Sequence, residues 1–191
     1  MRGTMLKGGY AMVTGKTEKE ITYGPIKWLE SEKAGGREYN FAPKGDIKEV
    51  HADGKVVFSN AKNSGYDGTL TLIDLIDDVA EDWYGQKIGE NGERAEYAIM
   101  KDSPKFAWIQ VEEETDGTTR TTIYPYCYVT KRTERKGKTS EEGNFDFEFP
   151  QHNLAIRPRP TDNLVCYELK DESDFEMLPS VPTFESEVKK N

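Results

Sequence analysis

Histidine and cysteine are scarce in this chain: 191 residues contain only His51, His152, Cys127 and Cys166. So few ligating and nucleophilic groups leave little material for Ser-His-Asp, Cys-His or histidine-metal constellations. His51 stands alone in a strand or loop, and His152, in PQHNL, reads as part of a surface turn. The two cysteines fall in separate strand-like pieces and read as reduced, half-buried thiols, because pairing would require those strands to lie side by side. Excess positive charge is also missing, with 26 Lys and Arg against 35 Asp and Glu, a net charge of -9 and a pI near 4.9. Nucleic-acid grip needs clustered cations to displace phosphate counterions, so that class is disfavoured. No apolar run approaches the roughly 20 residues of a membrane span, and MRGTMLKGGY lacks an apolar leader core; the expectation is a soluble chain that stays where it is made, in the cytoplasm.

What is present points to a β-rich fold with a modest core. The apolar fraction is 35% against 32% charged, and mean hydropathy is -0.80, wetter than an ordinary globular domain. Aromatics reach 11%, led by ten tyrosines, which favours strands with half-buried faces over disorder. The expected organisation is one domain over residues 1–170 and an acidic, proline-interrupted arm over 171–191. From Thr161 onward eight acids face three lysines, so much of the net charge sits near the C-terminus.

Strand signals recur along the chain. YAMVT (Tyr10–Thr14) and ITYGPIKWLE (Ile21–Glu30) flank a GKTEK turn, with Pro25 marking an edge or bulge. Gly15-Lys16-Thr17 is no phosphate loop, since Tyr10 stands where that loop needs glycine and a strand follows where it needs a helix. Residues 31–65 are broken by AGG, APKGD, ADGK and KNSG, and read either as a meander of short strands or as one long excursion built on an extended hairpin. Further strands are expected at Glu96–Met100, at Phe106–Glu114, across a TDGT turn at Thr121–Arg132, in FDFEF (145–149) and at Leu164–Lys170. Simple alternation would put Tyr124, Tyr126 and Tyr128 on one face, and Ile123, Cys127 and Val129 on the other. The basic run 131–138 reads as a charged hairpin loop, with the acidic arm of a neighbouring copy as one possible contact.

One stretch changes period midway. In YDGTLTLIDLIDDVAEDWYG (Tyr66–Gly85), Leu70 and Leu72 alternate with polar residues, after which Leu75, Ile76, Val79, Ala80 and Trp83 fall on one helical face. Asp74, Asp77, Asp78, Glu81 and Asp82 take the other face, and Gly85 stands at the helix stop. Five acids could gather a hard cation, but the glycine-hinged loop or converging partner helices of a metal site are missing, so they read as a solvated face. No catalytic, cofactor or metal site is assigned.

These residues carry a resemblance. Gly65, Tyr66, Gly68, Leu70 and Leu72, then an amphipathic segment containing Trp83 and ending in Gly85, are similar to the central signature of the major tail proteins of long, non-contractile-tailed bacteriophages of Gram-positive hosts. The later order of hairpin, aromatic strand, charged loop and FDFEF also resembles that family, over roughly Gly8 to Lys170. The resemblance implies a mainly β fold, a β-sandwich or partial barrel with one flanking α-helix. It implies a homo-oligomer, six copies to a ring, stacked into a tail tube around the tape-measure protein. It further implies contacts between rings through a long loop and terminal arms, DNA only as cargo that does not stick to an acidic lumen, a location in the virion, and no catalysis. Asp146 and Glu148 are the expected lumen-facing residues, since the Phe face of their strand would be core. The alternatives weighed are a monomeric β-sandwich binding module, for instance for carbohydrate stacked on Trp28, Trp83 and Trp108, and a tail terminator or tube-like ring of a phage-derived particle.

Overall fold

A computed structural model describes residues 4–52, 55–98, 103–134 and 148–183. Strand β1 (Thr4–Lys16) turns through residues 17–20 into β2 (Ile21–Tyr23), and the Thr17 amide donates to the Glu20 carbonyl at 2.8 Å to close the turn. Pro25 has no amide hydrogen for a ladder, and it separates β2 from β3 (Lys27–Trp28); both short strands pair antiparallel with β1. There follow β4 (Gly36–Ala52), β5 (Lys55–Leu72), helix α1 (Asp77–Tyr84), a two-stranded pair β6 (Lys87–Ile88) and β7 (Arg94–Ala95), β8 (Phe106–Glu113), β9 (Thr119–Lys131), β10 (Gln151–Ile156) and β11 (Tyr167–Lys170). The nine-stranded antiparallel sheet runs β2-β1-β8-β9-β10-β5-β4, with β3 added to β1 and β11 to β9. The fold is therefore mainly β with one helix among the described residues, as expected from the sequence.

The sheet curls into a partial barrel. Phe41 of β4 and Tyr66 of β5 meet Tyr124 of β9 edge to face at 5.5 and 6.0 Å, while the Tyr39 hydroxyl donates to the Glu112 carboxylate across on β8. Inside lies the larger core, and α1 supplies its centre. Trp83 stacks on Phe106 (4.5 Å, 5°) and makes edge contacts with Tyr10, Trp108 and His152. Eight residues are too few for a stable isolated helix, so burial of Val79, Ala80, Trp83 and Tyr84 must hold it. Gly85 ends it with φ 62° in the left-handed region, and the Gly85 and Gln86 amides donate to the Glu81 and Ala80 carbonyls.

The helix is shorter than its apolar periodicity implies. Leu75 and Ile76 precede it, half-buried against the core. Asp74, Asp77, Asp78 and Glu81 are exposed as expected, but Asp82 is half-buried. Its carboxylate accepts from the Tyr10 hydroxyl at 2.8 Å and from Lys27 Nζ at 2.7 Å, because the helix seats on β1 with this residue at the margin of the contact. Burial first, and then this bond to a carboxylate, raise the Tyr10 phenol well above its ordinary range.

Four expected features are corrected. The described part of the strand expected over 96–100, residues 96–98, is not a strand in the structure; the local pairing is Lys87–Ile88 with Arg94–Ala95, and the remainder of that expected strand lies outside the described residues. On β9, Phe106 pairs with Cys127 and Trp108 with Tyr124, so Pro125 and Tyr126 together oppose Ala107. This bulge shifts the alternation by one: Tyr124 joins Cys127 and Val129 in the main core, while Ile123 enters a second core on the other side. His152 is not in a turn. It sits fully buried in β10, opposite Leu70, and its Nδ1 lies 2.6 Å from the Tyr84 hydroxyl. Lastly, residues 148–150 are not a strand, and Asp146 lies outside the described residues, as does most of FDFEF.

Three stability experiments follow from this arrangement. Trp83→Ala removes the ring that joins the helix to three strands and should cost about 3 to 5 kcal/mol in urea denaturation. Asp77→Asn with Asp78→Asn should cost less than about 1 kcal/mol, since only the half-exposed Asp77–Arg94 pair is lost. Burial pushes the His152 imidazole down from 6.5 to about 4. Between those values the unfolded chain binds a proton that the folded chain refuses, so His152 withdraws stability as pH falls below about 6.5. Wild type should therefore lose about 2 kcal/mol more than His152→Gln between pH 7 and pH 5. Equal losses would mean that the buried ring accepts its proton without cost.

Candidate assembly surface

The longest strands are β4 and β5. β4 and β5 pair from Gly36↔Leu72 out to Ala52↔Lys55, but β10 joins β5 only from Tyr66 to Thr71. Beyond Gly65 the two strands pair only with each other among the described residues. The part from Gly45↔Asn63 to Ala52↔Lys55 is thus a two-stranded ribbon, about 27 Å long at the usual rise per residue. Of the two alternatives open for residues 31–65, the extended hairpin is the one the chain adopts.

Glycines and one ion cluster fix where the ribbon leaves the sheet. Gly65 has φ 98°, and a Cβ there would fall 2.0 Å from the Ile156 carbonyl oxygen; at Gly68 it would fall 1.9 Å from the Asn40 carbonyl oxygen. The G-Y-D-G signature thus has a local cause. Its first glycine makes the turn-in, and its second lets β4 lie close against β5. Asn63 Oδ1 accepts from the Gly65 amide at 3.0 Å. Between the glycines, the Asp67 carboxylate takes Arg157 Nη2 and Lys44 Nζ, and Arg157 Nη1 also donates to the Tyr66 carbonyl at 2.9 Å. Desolvation alone would raise the Asp67 carboxyl, but the bonds to Arg157 and Lys44 outweigh it and hold the group below the usual range. Arg157 carries no signal of this role in the sequence, where RPRP reads only as a lead-in to the last strand.

At the sheet's two ends the backbone is treated differently. β4 is the last strand of the main path, and no described strand pairs with its far side. An uncovered strand edge is a template for another chain. At the opposite end, β3 and the neighbouring outer face are covered by residues 171–183. The expected C-terminal arm thus lies docked on the body over its described part.

The other expected site residues are placed as follows. Leu70 and Leu72 are buried, with Trp83, in the main core. Glu148 is exposed and borders a cleft of about 860 Å³, together with Asp74, Arg94, Glu96, Arg132 and Asn153. The cleft's two arginines are already engaged, Arg94 with Asp77 at 2.7 Å and Arg132 with Glu96 at 2.9 Å. Trp83 and Trp108 are wholly buried, and the Trp28 indole donates to the Phe175 carbonyl beneath the C-terminal segment, so none of the three presents an open stacking platform. Cys127 is buried and Cys166 half-buried, and neither forms a disulfide. Among the described residues no three His, Cys, Asp or Glu converge as metal ligands. Neither the protein-family models nor the curated proteins contain a match to this chain.

The glycine geometry is open to a direct measurement. Gly65→Ala and Gly68→Ala should each cost about 2 to 3 kcal/mol, because backbone atoms must move on the partner strand. Gly117→Ala, in a turn with φ 81° and open space around it, should cost only the left-handed penalty of about 1 kcal/mol. Equal losses at all three positions would show that close approach adds nothing to backbone conformation.

Proposed function

We propose that this chain is a structural virion protein, a tail tube protein whose rings, six copies each, stack into the conduit for genome delivery by a long-tailed bacteriophage. The observation that carries this reading is the ribbon of β4 and β5 together with the open edge of β4. A lone two-stranded ribbon is marginal in water, and this one extends about 27 Å past the last strand that supports it. Its stability and its purpose are both accounted for if it lies against another copy. Among the described residues no strand pairs with the far side of β4, whose amides and carbonyls a neighbour's strand would complete, so a ring closes by continuing the sheet from one subunit to the next.

The charge balance supports the same reading. A net charge of -9 lets a protein wall repel phosphate over the ~8 to 10 Å that screening permits, which suits DNA that must pass without sticking. The tape-measure protein would fill the lumen before the genome does. Assembly alone requires neither a cofactor nor a catalytic group.

Negative-stain microscopy of the concentrated protein provides the test. Rings or tubes of uniform diameter are expected, and rings that never stack would point instead to a terminator of the same machine. Replacing residues 46–62 by an Asn-Gly turn should leave a folded monomer, since this segment is no part of the described core, and should abolish the assemblies. Monomers that persist at every concentration and salt would overturn the proposal.

A further inference from the structure

Among the described residues, four buried side-chain atoms have no hydrogen-bond partner: Trp83 Nε1, His152 Nε2, Gln110 Nε2 and Thr122 Oγ1. The last two belong together. Gln110 of β8 and Thr122 of β9 stand directly opposite each other in the ladder, 0% and 1% exposed. Both point into the barrel, because Gln110 shares its face with Trp108 and Thr122 shares its face with Tyr124, and those two rings lie in the main core. Side chains opposed in this way lie roughly 5 Å apart at Cβ. Yet the two orphaned atoms do not bond to each other.

Neighbouring groups fix the chemistry of this pair. The Trp108 indole can only donate, and it donates to Gln110 Oε1 at 3.2 Å, so the amide is oriented with its NH2 group as the unpartnered end. The Thr122 hydroxyl can donate or accept. Glu112 follows two residues along β8 on the same face and is 3% exposed, and its carboxylate accepts from the Tyr39 hydroxyl of β4. Met5, which opposes Glu112 from β1, and Tyr39 both pack against the main core on this side. A polar corner is thus enclosed within the barrel.

We propose that Gln110, Thr122 and Glu112 form an internal hydration site that holds one ordered water between β8 and β9. The residue types select the ligand. A cation would meet the N–H bonds of Gln110, and an anion would share a closed space with the Glu112 carboxylate. Water satisfies both ends: its oxygen accepts from Gln110 Nε2, and its hydrogens serve Thr122 Oγ1 and the Glu112 carboxylate. About three polar partners is the usual number for a buried water. Without it, two groups that bond to solvent in the unfolded chain would be stranded on folding, which native interiors rarely tolerate. With it, β8 and β9 are joined inside the barrel, and the Glu112–Tyr39 bond extends the link to β4. The site lies within a single subunit and does not rest on the tube reading.

The test uses the full chain, dilute and unassembled, as wild type, Thr122→Val and Thr122→Ser. In wild type the Gln110 side-chain amide should show a rotating-frame Overhauser contact to water, whose sign separates it from proton exchange. Oxygen-17 relaxation dispersion of the solvent counts whole water molecules and ignores exchanging hydroxyl protons. Its amplitude should fall by one long-lived water in Thr122→Val and stay at the wild-type level in Thr122→Ser. In urea the unfolding constant of Thr122→Val should rise roughly three- to tenfold, the worth of one net hydrogen bond. A stranded hydroxyl predicts the reverse, since its removal would leave the midpoint unchanged or raise it. That result overturns the proposal, as does an unchanged dispersion amplitude in Thr122→Val or a Gln110 amide with no contact to water. If near-ultraviolet dichroism shows that Thr122→Val has lost its core, the wild-type amide contact decides alone.

Discussion

The contact on which the rest depends is the stack of Trp83 on Phe106, 4.5 Å apart and nearly parallel. It is where the helix meets the sheet. The same indole touches Tyr10 of β1, Trp108 of β8 and His152 of β10, so one side chain from an eight-residue helix joins three strands that are far apart in the chain. A curled sheet of this kind has an interior too wide to be filled by strand side chains from one wall alone. The helix completes it, and the closed interior then fixes which way β5 enters.

That entry determines where the ribbon goes. Followed back from Leu72 in the core, β5 runs antiparallel beside β10 and must turn out of the sheet at Gly65, where only a residue without Cβ fits beside the Ile156 carbonyl. The Asp67–Arg157 pair ties the root of the ribbon to the end of β10. The ribbon therefore projects from a stiff base, although its own two strands support each other alone. Under the proposed reading, a projection stiff at its root and unpaired along its outer edges among the described residues serves as a contact element, and this is how one subunit reaches the next.

Much of the fold was legible because it follows from local chemistry. The helix face, its glycine stop, the GKTEK and TDGT turns and the strand class all depend on residues close together in sequence. What was not legible depends on register. His152 looks like a turn residue in PQHNL until β10 is placed beside β5, when its position opposite Leu70 sends it inward to the Tyr84 hydroxyl. Tyr124 changes face because Pro125 and Tyr126 are opposed by one residue of β8, and nothing in β9 alone announces that count. Asp82 belongs by periodicity with the wet acids, yet the site of helix docking gives it Tyr10 and Lys27. At the candidate surface, the long excursion and the glycine signature were visible, whereas Arg157 and the docked C-terminal segment were not, because backbone carbonyl contacts leave no side-chain pattern.

The two ends of the sheet now differ in a way that bears on assembly. If both ends were open, identical subunits could join edge to edge in either sense, and two copies could pair through like edges and stop as a dimer. Covering the β3 end removes one such like-to-like pairing, and under the proposed reading the edge of β4 meets a different surface of its neighbour, which is an unlike contact. Unlike contacts between identical subunits repeat with a constant rotation, which is the geometry that closes into a ring or continues as a helix. The cover is held by backbone bonds and a few half-buried side chains. Under the proposed reading, an asymmetric pair of edges, one projected and one covered, would favour ordered growth over random edge pairing in a chain with so modest a core.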